Sequence, residues 1–492
     1  MCAIGCSLVA LIGGLYPPSL IFMAILFTAI MILLIIKRAK VQFMVITIII
    51  LITVCSAVSG LGEINRLSKF SGLECEGEFT VQDIKYEGAN FYCADVKITK
   101  SDVLKSGTKL SVYYEDGKLA IGDKVEANML LSEVDEANRK ENYSKNIFLN
   151  AKVYDFDILA DRGNTLLKCV NSVRSYIKNI SFNNLSYDEA STLCALLFGE
   201  KGYFTNEFKN NVTASGVSHV MVVSGMHLTI FMVLFVTFVS KISNNRYIRA
   251  FMQLFAVFVV SSLCGFTTSI LRAGVMCIII SIGLLIKEKT VAENILGAAC
   301  SFILAFNPFV VFNIAFQLSV LSTFGIVAVA LPITRYLKEN KIIRNQFLSF
   351  IAESVLISLS ATILTLPVAI NTFGFISSVG VITTLIITYP VTLSIWISLF
   401  ALSINLLFSG FAEVIFIPCE YLLKFTNYVI NKMGSLPFSV IPTDKIWALV
   451  AVGIIILIFY VLLACKKRLY MIKLKEIREK IKRTGGGKLK WQ

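Results

Sequence analysis

Residues 376–409 read ISSVGVITTLIITYPVTLSIWISLFALSINLLFS and contain no charged side chain. A helix that crosses a bilayer needs about 20 mostly apolar residues, so this stretch is long enough to span a membrane. We predict one net crossing, because two full crossings would place the basic C-terminal tail on the outer side. The alternative is that Pro390 divides the stretch and that one half is re-entrant.

Comparable apolar stretches recur along the chain. The other candidate spans are 19–36, 41–60, 217–240, 250–264, 270–286, 291–306, 317–332, 346–366, 411–431 and 446–465. Residues 4–15 are apolar but short, and they are predicted to form a re-entrant piece or an extra helix. The sequence therefore predicts a polytopic α-helical membrane protein with about 11 spans plus re-entrant or interfacial helices.

The distribution of charge agrees with this fold class. Of the 492 residues, 56% are hydrophobic and 16% are charged. Residues 61–160 hold 13 Lys or Arg and 18 Asp or Glu, and the tail 466–492 holds 11 Lys or Arg and 2 Asp or Glu. The remaining residues carry too few charges to cover a water-soluble protein of this size. A soluble globular enzyme and a disordered chain are both excluded.

Basic loops indicate the orientation, since cytoplasmic loops are enriched in Lys and Arg. Lys37, Arg38 and Lys40 lie between the first two candidate spans and are expected to be cytoplasmic. The protein is therefore expected in the cytoplasmic membrane, with residues 61–215 outside and the tail inside. The tail is predicted to anchor the topology or contact anionic lipid, with docking of DNA or a partner as the alternative.

The polar block after the second span has the pattern of short strands. Residues 74–88, 90–99, 109–114 and 122–131 combine β-branched and aromatic residues and are separated by turn residues. Four or five such strands suggest a small antiparallel barrel, and an OB-like barrel is one option. Residues 165–182, which follow, have the apolar spacing of an amphipathic helix and are expected to lie on the outer membrane face.

Two functions remain open for the barrel. OB-type barrels often bind oligonucleotides or oligosaccharides, and a basic strip with one nearby aromatic ring offers possible DNA contacts: Lys97, Lys100, Lys105, Lys109 and Tyr113. The block is net acidic, however, which repels a polyanion at long range. The alternative is a folding or docking module beside a channel.

Cys75 and Cys93 are the two cysteines in this outside block. Disulfides persist in oxidising compartments, and the two residues lie on neighbouring strand-like segments. We predict a Cys75–Cys93 bridge, with two thiols as the alternative.

Residues 196–230 contain both histidines, His219 and His227, in a stretch that enters the membrane. Polar groups at that depth need partners or water. A metal site shared by the two histidines is disfavoured, because eight helical residues separate them by roughly 12 Å. A Ser224/His227 hydrolase pair lacks the Gly-x-Ser-x-Gly elbow. We therefore predict no catalytic residue, metal or cofactor here, and side chains that face a cavity or neighbouring helices.

Further polar residues lie inside later apolar segments. Arg272 is near the end of its helix, where snorkelling to the interface is the alternative to a buried role. Gln317 and Ser319 belong to a polar stripe that would line a passage or join helices together. The predicted channel-lining set is Ser218, His219, Ser224, Gly225, His227, Arg272, Gln317 and Ser319.

Four motifs together resemble a known family. The run FGEKGYFTNEFKNNVTASGVSHVMVVSGMHLTI, followed in order by LRAGVM, NPFVVFNIAFQLSVLSTFGI and LPVAINTFGFISSVG, is similar to the signature of the ComEC family of competence DNA-internalisation proteins. The outside barrel between the second span and this signature also matches the layout of that family. The resemblance covers about residues 20–465.

The resemblance implies a channel for single-stranded DNA during natural transformation. The domains would be an N-terminal transmembrane hairpin (1–60), an extracytoplasmic OB-like domain (61–160), interfacial amphipathic helices (161–215), a competence-type channel domain (216–465) and a basic cytoplasmic tail (466–492). Its partners would be single-stranded DNA, the lipid bilayer, an outside DNA receptor, a cytoplasmic helicase or ATPase motor and a nuclease.

One departure concerns the nuclease. Many relatives end in a metallo-β-lactamase-like domain, whereas this sequence ends 27 residues after its last candidate span. With two histidines and no P-loop, the chain is expected to have neither a nuclease metal cluster nor a motor. The alternative functions are a polytopic transporter of small solutes or polysaccharides with an external recognition domain, and a membrane-embedded enzyme that uses His227.

Overall fold

The computed structural model describes residues 41–87, 92–115, 119–159, 164–200, 202–221, 223, 225–243, 245–286, 291–340, 345–405 and 410–443, together with Trp447, Val450 and Gly453. The predicted segments 4–15 and 19–36, most of the candidate span 446–465 and the tail 466–492 lie outside these residues.

Helices make up most of the described chain. In order they are α1 (Val41–Leu67), α2 (Glu136–Ser144), α3 (Thr165–Asn184), α4 (Tyr187–Phe198), α5 (Asn206–Ala214), α6 (Gly225–Ile242), α7 (Arg246–Leu263), α8 (Thr268–Ile286), α9 (Ala292–Phe306), α10 (Ile314–Gly325), α11 (Leu331–Glu339), α12 (Gln346–Phe373), α13 (Gly380–Asn405) and α14 (Phe411–Gly434). Short 3₁₀ turns cover Ser68–Phe70 and Pro308–Phe312, and a π-helical turn, Ile326–Ala330, joins α10 to α11.

Five helical segments in the described part are long and apolar enough to cross a membrane. They are α7, α8, the continuous segment Ile314–Glu339, α12 and α13, and the apolar helices α6 and α9 are shorter. With the barrel described below, these helices confirm the predicted fold class of a polytopic helical membrane protein that carries a small β-barrel.

Within the apolar stretch 376–409, residues Gly380–Asn405 form one helix, α13. In α13, Pro390 lies inside a continuous helix rather than at a break. Pro390 has no N–H to donate to the Ile386 carbonyl, and the helix continues through it, as helices in membrane proteins tolerate. The predicted span 217–240 begins later than expected, since α6 starts at Gly225.

The polar block is a closed five-stranded barrel. Its strands are β1 (Glu74–Glu87), β2 (Tyr92–Ser101), β3 (Lys109–Tyr114), β4 (Lys124–Glu133) and β5 (Ile147–Ile158). They are ordered β1-β2-β3-β5-β4, with β3 parallel to β5 and β4 closing onto β1. This strand order is that of an OB-type barrel. A two-stranded ribbon elsewhere joins β6 (Phe375–Ser377) to β7 (Val440–Pro442).

Alternating side chains fill the barrel, as the period of two in a strand requires. Its fully buried members include Phe79, Val81, Ile98, Leu110, Val112, Val125, Met129, Leu131 and Leu149. Two elements were not located from the sequence: β5, whose residues alternate less regularly, and α2, which connects β4 to β5. Below the surface, the Ser111 hydroxyl donates to the Asp95 carboxylate at 2.7 Å, which satisfies a buried polar pair across β2 and β3.

The predicted Cys75–Cys93 disulfide is wrong. Cys93 lies opposite Tyr86, near the end of β1, whereas Cys75 lies at the start of β1 opposite Met129 of β4. Eleven residues of strand at about 3.3 Å each separate Cys75 from Tyr86, and a disulfide needs Cα atoms within roughly 7 Å. In an antiparallel hairpin the starts of the two strands lie at opposite ends, so neighbouring segments did not imply neighbouring cysteines.

Because both cysteines are buried thiols, we expect a reductant to leave the thermal unfolding midpoint of the purified protein unchanged. Alkylation after unfolding without reductant should label Cys75 and Cys93 completely. The Cys75→Ser/Cys93→Ser variant is the control, and its midpoint should be equally insensitive to reductant. A cross-linked peptide pair that contains both residues would contradict the register described here.

Candidate functional site: a polar cluster between the membrane helices and its link to the barrel

A buried arginine, Arg272, is the centre of a cluster of polar side chains between the membrane helices, here called the Arg272 cluster. Arg272 of α8 is 6% exposed. Its Nε donates to the Ser319 hydroxyl of α10 at 2.9 Å, and its Nη1 lies 3.2 Å from the Met276 sulfur. The Ser319 and Ser269 hydroxyls are 2.9 Å apart. A guanidinium inside a membrane domain is costly unless it is well partnered, and these contacts bind it between two helices.

Gly225 brings a third helix to this cluster. It is the first residue of α6, and a Cβ placed on it would lie 3.1 Å from Arg272 Nη2 and 3.2 Å from Ala273 Cβ. The absence of a side chain therefore allows α6 to approach α8 closely. Three members of the predicted channel-lining set, Gly225, Arg272 and Ser319, thus come together.

The other members of that set are distributed differently. Gln317 uses its amide to donate to the Val311 carbonyl at 2.7 Å, which secures the turn before α10. His227 is fully buried on α6, whereas Ser218 is half-buried and His219 is exposed in the non-helical segment before that helix. Ser224 lies outside the described residues. In the described chain, no three His, Cys, Asp or Glu side chains are grouped so that they could hold a metal ion.

The barrel is joined to the same region by helix α2. Asn307 Nδ2 donates to the Ser144 carbonyl at 2.8 Å, and Asn313 Nδ2 donates to the Ser144 hydroxyl at 3.1 Å. Phe309, in the 3₁₀ turn between these asparagines, contacts Phe148 edge-on at a centroid distance of 5.7 Å. Gly60 of α1 approaches the same ring, since a Cβ there would lie 2.3 Å from it.

A polar path runs from the barrel to the buried arginine. The Thr268 hydroxyl donates to the Asn313 side-chain oxygen at 3.1 Å. Thr268 is followed directly by Ser269, which contacts Ser319, the partner of Arg272. Ser144 had no sequence signal of its own. The sequence feature nearest to this junction is the pair Asn307-Pro308, which indicates a turn without showing what contacts it.

The basic strip on the barrel is a real surface feature. Lys97 of β2 lies directly opposite Lys109 of β3, and both are exposed, as are Lys100 and Lys105. Desolvation lowers the pKa of Lys109. The Asp95 carboxylate partly offsets this, and the charge of Lys97 lowers the pKa further. Tyr113 is half-buried opposite Cys93, and burial together with Cys93 raises its pKa to about 12. The strip lies on the β2–β3 face that OB barrels use for ligands.

A second junction depends on close backbone approach. Gly216 has φ +73°, and a Cβ there would lie 2.8 Å from Ser377 Cβ and 2.9 Å from Gly380 Cα. The Ser377 hydroxyl donates to the Ala214 carbonyl at 2.8 Å. The segment after α5 therefore packs closely against the turn between β6 and α13.

The structure is that of a polytopic membrane protein. Its helical domain contains a buried polar cluster, and an OB-type barrel is attached to that domain. A family model described as competence protein matches residues 196–468, more than half of the chain. The chain therefore belongs to the competence protein family, in agreement with its resemblance to ComEC proteins.

One relative has a curated description. ComE operon protein 3 of Bacillus subtilis (strain 168) is 25% identical over 241 residues, which is 49% of this chain and 29% of that protein. The match therefore takes in less than a third of the relative's length. No solved structure matches the chain significantly.

Proposed function

We propose that this protein carries single-stranded DNA across the cytoplasmic membrane during natural transformation. Membership of the competence protein family supports a role in DNA uptake. The observation that carries the proposal is the attachment of the barrel, through Ser144, to the turn that leads to the Arg272 cluster. A strand bound on the barrel would be close to the helical domain that it has to enter.

The barrel face has the chemistry for a sequence-independent contact. Lys97, Lys100, Lys105 and Lys109 would meet phosphates, and Tyr113 would offer part of a ring for stacking. The carboxylates elsewhere on the barrel would keep the complex weak. Weak binding suits a module that has to release the strand into the helical domain.

The Arg272 cluster would provide the polar contacts for DNA within the helical domain. Single-stranded DNA carries one negative charge per nucleotide, so its route needs polar groups without exposed carboxylates. Arg272 with Ser269 and Ser319 meets that requirement. In the described conformation these groups bond to one another, so we propose that DNA replaces those bonds as the helices α6, α8 and α10 separate.

The remaining assignments extend this proposal. Residues 61–215 would lie outside and the basic tail inside, following the distribution of Lys and Arg. The channel would have no catalytic chemistry of its own. An outside receptor would deliver DNA, a cytoplasmic ATPase or helicase would supply the driving force, and a nuclease would remove the second strand.

The barrel's role is tested with Lys97→Glu/Lys109→Glu in the full chain. We expect weaker binding of a labelled oligothymidine. The slope of log affinity against log salt should become shallower by about 1.4, since each lost phosphate contact contributes about 0.7 for single strands. The measurement is fluorescence anisotropy across a salt series.

Lys69→Glu/Lys140→Glu makes the same change in charge at exposed positions away from the β2–β3 face, and its salt slope should equal that of the wild type. The physiological test is uptake of labelled DNA in a deletion strain complemented with each variant. Deletion should abolish uptake while surface binding of DNA persists. Intact transformation combined with a solute phenotype would contradict the proposed function.

A further inference from the structure

A cavity of about 460 Å³ lies between α4, α5 and α14, and it shares no lining residue with the Arg272 cluster. Its wall carries the carboxylates Asp188, Glu189 and Glu207 and the ammonium of Lys424. That ammonium is 2.7 Å from the carboxylate of Glu420, which is not part of the wall. The wall is therefore negative on balance, and the volume is that of a small-molecule site.

Glu189 is the residue that indicates a ligand. It is only 7% exposed and lies on the cavity wall. In the described chain its carboxylate forms no ion pair. Burial raises the pKa of this carboxyl. The charge of Lys424 lowers its pKa, but the Lys424 ammonium is paired with Glu420. A buried carboxylate left in this state is costly, and a cation in the cavity would remove the cost.

The remaining wall favours an organic cation. Tyr203, Phe204 and Phe208 line the cavity beside the carboxylates, and the two Phe rings meet edge-on at 5.0 Å. Aromatic faces attract ammonium groups, and Lys178 Nζ already lies 5.3 Å from the centroid of the Tyr203 ring. The wall also offers side-chain oxygens of Ser191, Thr205, Asn427 and Asn431. In the part of the chain that the structure describes, however, no three His, Cys, Asp or Glu side chains are grouped to hold a metal ion, and a metal ion would leave the aromatic surface unused.

The carboxylates also lie on separate walls. Asp188 and Glu189 belong to α4, whereas Glu207 belongs to α5. We propose that the cavity binds an organic diamine, with one ammonium held by Glu189, the second by the outer carboxylates, and the methylene chain against the aromatic rings. The ligand is independent of DNA, and its binding would brace α4 and α5 against α14.

The test is calorimetric titration of 1,4-diaminobutane into the full chain in lipid nanodiscs at low ionic strength. We expect saturable binding at one site per chain. Glu189→Gln keeps the shape of the side chain and should weaken binding at least roughly tenfold, because it removes a charge-assisted hydrogen bond. Glu413→Gln makes the same change in charge on α14 at a residue outside the cavity wall, and its affinity should be unchanged.

Phe208→Leu provides a second variant that keeps every carboxylate. It should weaken binding by about two- to fivefold, the effect of one cation–π contact. Thermal unfolding without ligand identifies any variant that does not fold. The proposal is overturned if the wild type shows no saturable binding, if Glu189→Gln binds as tightly as the wild type, or if Mg²⁺ at equal concentration displaces the diamine.

Discussion

Gly216→Ala is expected to destabilise the membrane domain by roughly 2–5 kcal/mol. An L-residue in the left-handed region costs about 1–2 kcal/mol, and overpacking a filled site costs about 1–3 kcal/mol. Both apply here, because Gly216 has φ +73° and its Cβ would lie 2.8 Å from Ser377 Cβ. The measurement is the thermal unfolding midpoint of the purified chain, together with its amount in membranes.

Gly374→Ala separates the two contributions. Gly374 has the same φ of +73°, but nothing lies within 4 Å of the position where its Cβ would be. It should therefore lose only about 1–2 kcal/mol. Equal midpoints for Gly216→Ala and Gly374→Ala would show that the approach of Gly216 to Ser377 contributes nothing, which would contradict the close junction before α13.

Arg272→Met is expected to reduce transformation severely while the protein still inserts and folds. Methionine keeps much of the apolar bulk, and Ser269 and Ser319 can still bond to each other. What is lost is the guanidinium that links α8 to α10 beside Gly225. We expect DNA uptake to fall at least roughly tenfold, the factor for about 1.4 kcal/mol. The measurement is uptake of labelled DNA, normalised to the amount of protein in the membrane.

Two further variants make this result specific. Arg272→Lys keeps the charge but not the fork of donors, so it should recover only part of the uptake. Ser322→Ala removes a hydroxyl that bonds within its own helix, to the Ser319 carbonyl at 3.1 Å, and it should behave like the wild type. Normal uptake in Arg272→Met would mean that the cluster only joins helices.

Features with a local cause could be predicted from the sequence. The apolar stretches identified the membrane helices, because crossing a bilayer requires length and hydropathy that any window reveals. Four of the five barrel strands were located because β-branched and aromatic residues between turn residues mark strands locally. The segment predicted to be an amphipathic helix is covered by α3. The resemblance to a family came from several short motifs in a fixed order.

Features that depend on contacts between residues far apart in the chain could not be predicted from the sequence. Arg272 and Ser319 are 47 residues apart, and only the packing of α8 on α10 brings them together. The Cys75–Cys93 prediction failed because strand register, rather than order along the chain, sets distance within a barrel. The residues around Ser144 and Glu189 carry no pattern that marks a docking contact or a buried carboxylate, so neither role could be predicted.

The attachment of the barrel has a mechanical consequence. Its chain enters from α1 and leaves through Asn164, whose N–H donates to the Gly122 carbonyl at 3.0 Å, and α2 adds a third anchorage through Asn307 and Asn313. With two attachments alone, the barrel could still rotate about the line that joins them, and the third attachment prevents this rotation. Under the proposed function, tension on a DNA strand bound to the barrel would therefore pass into the helices instead of rotating the barrel.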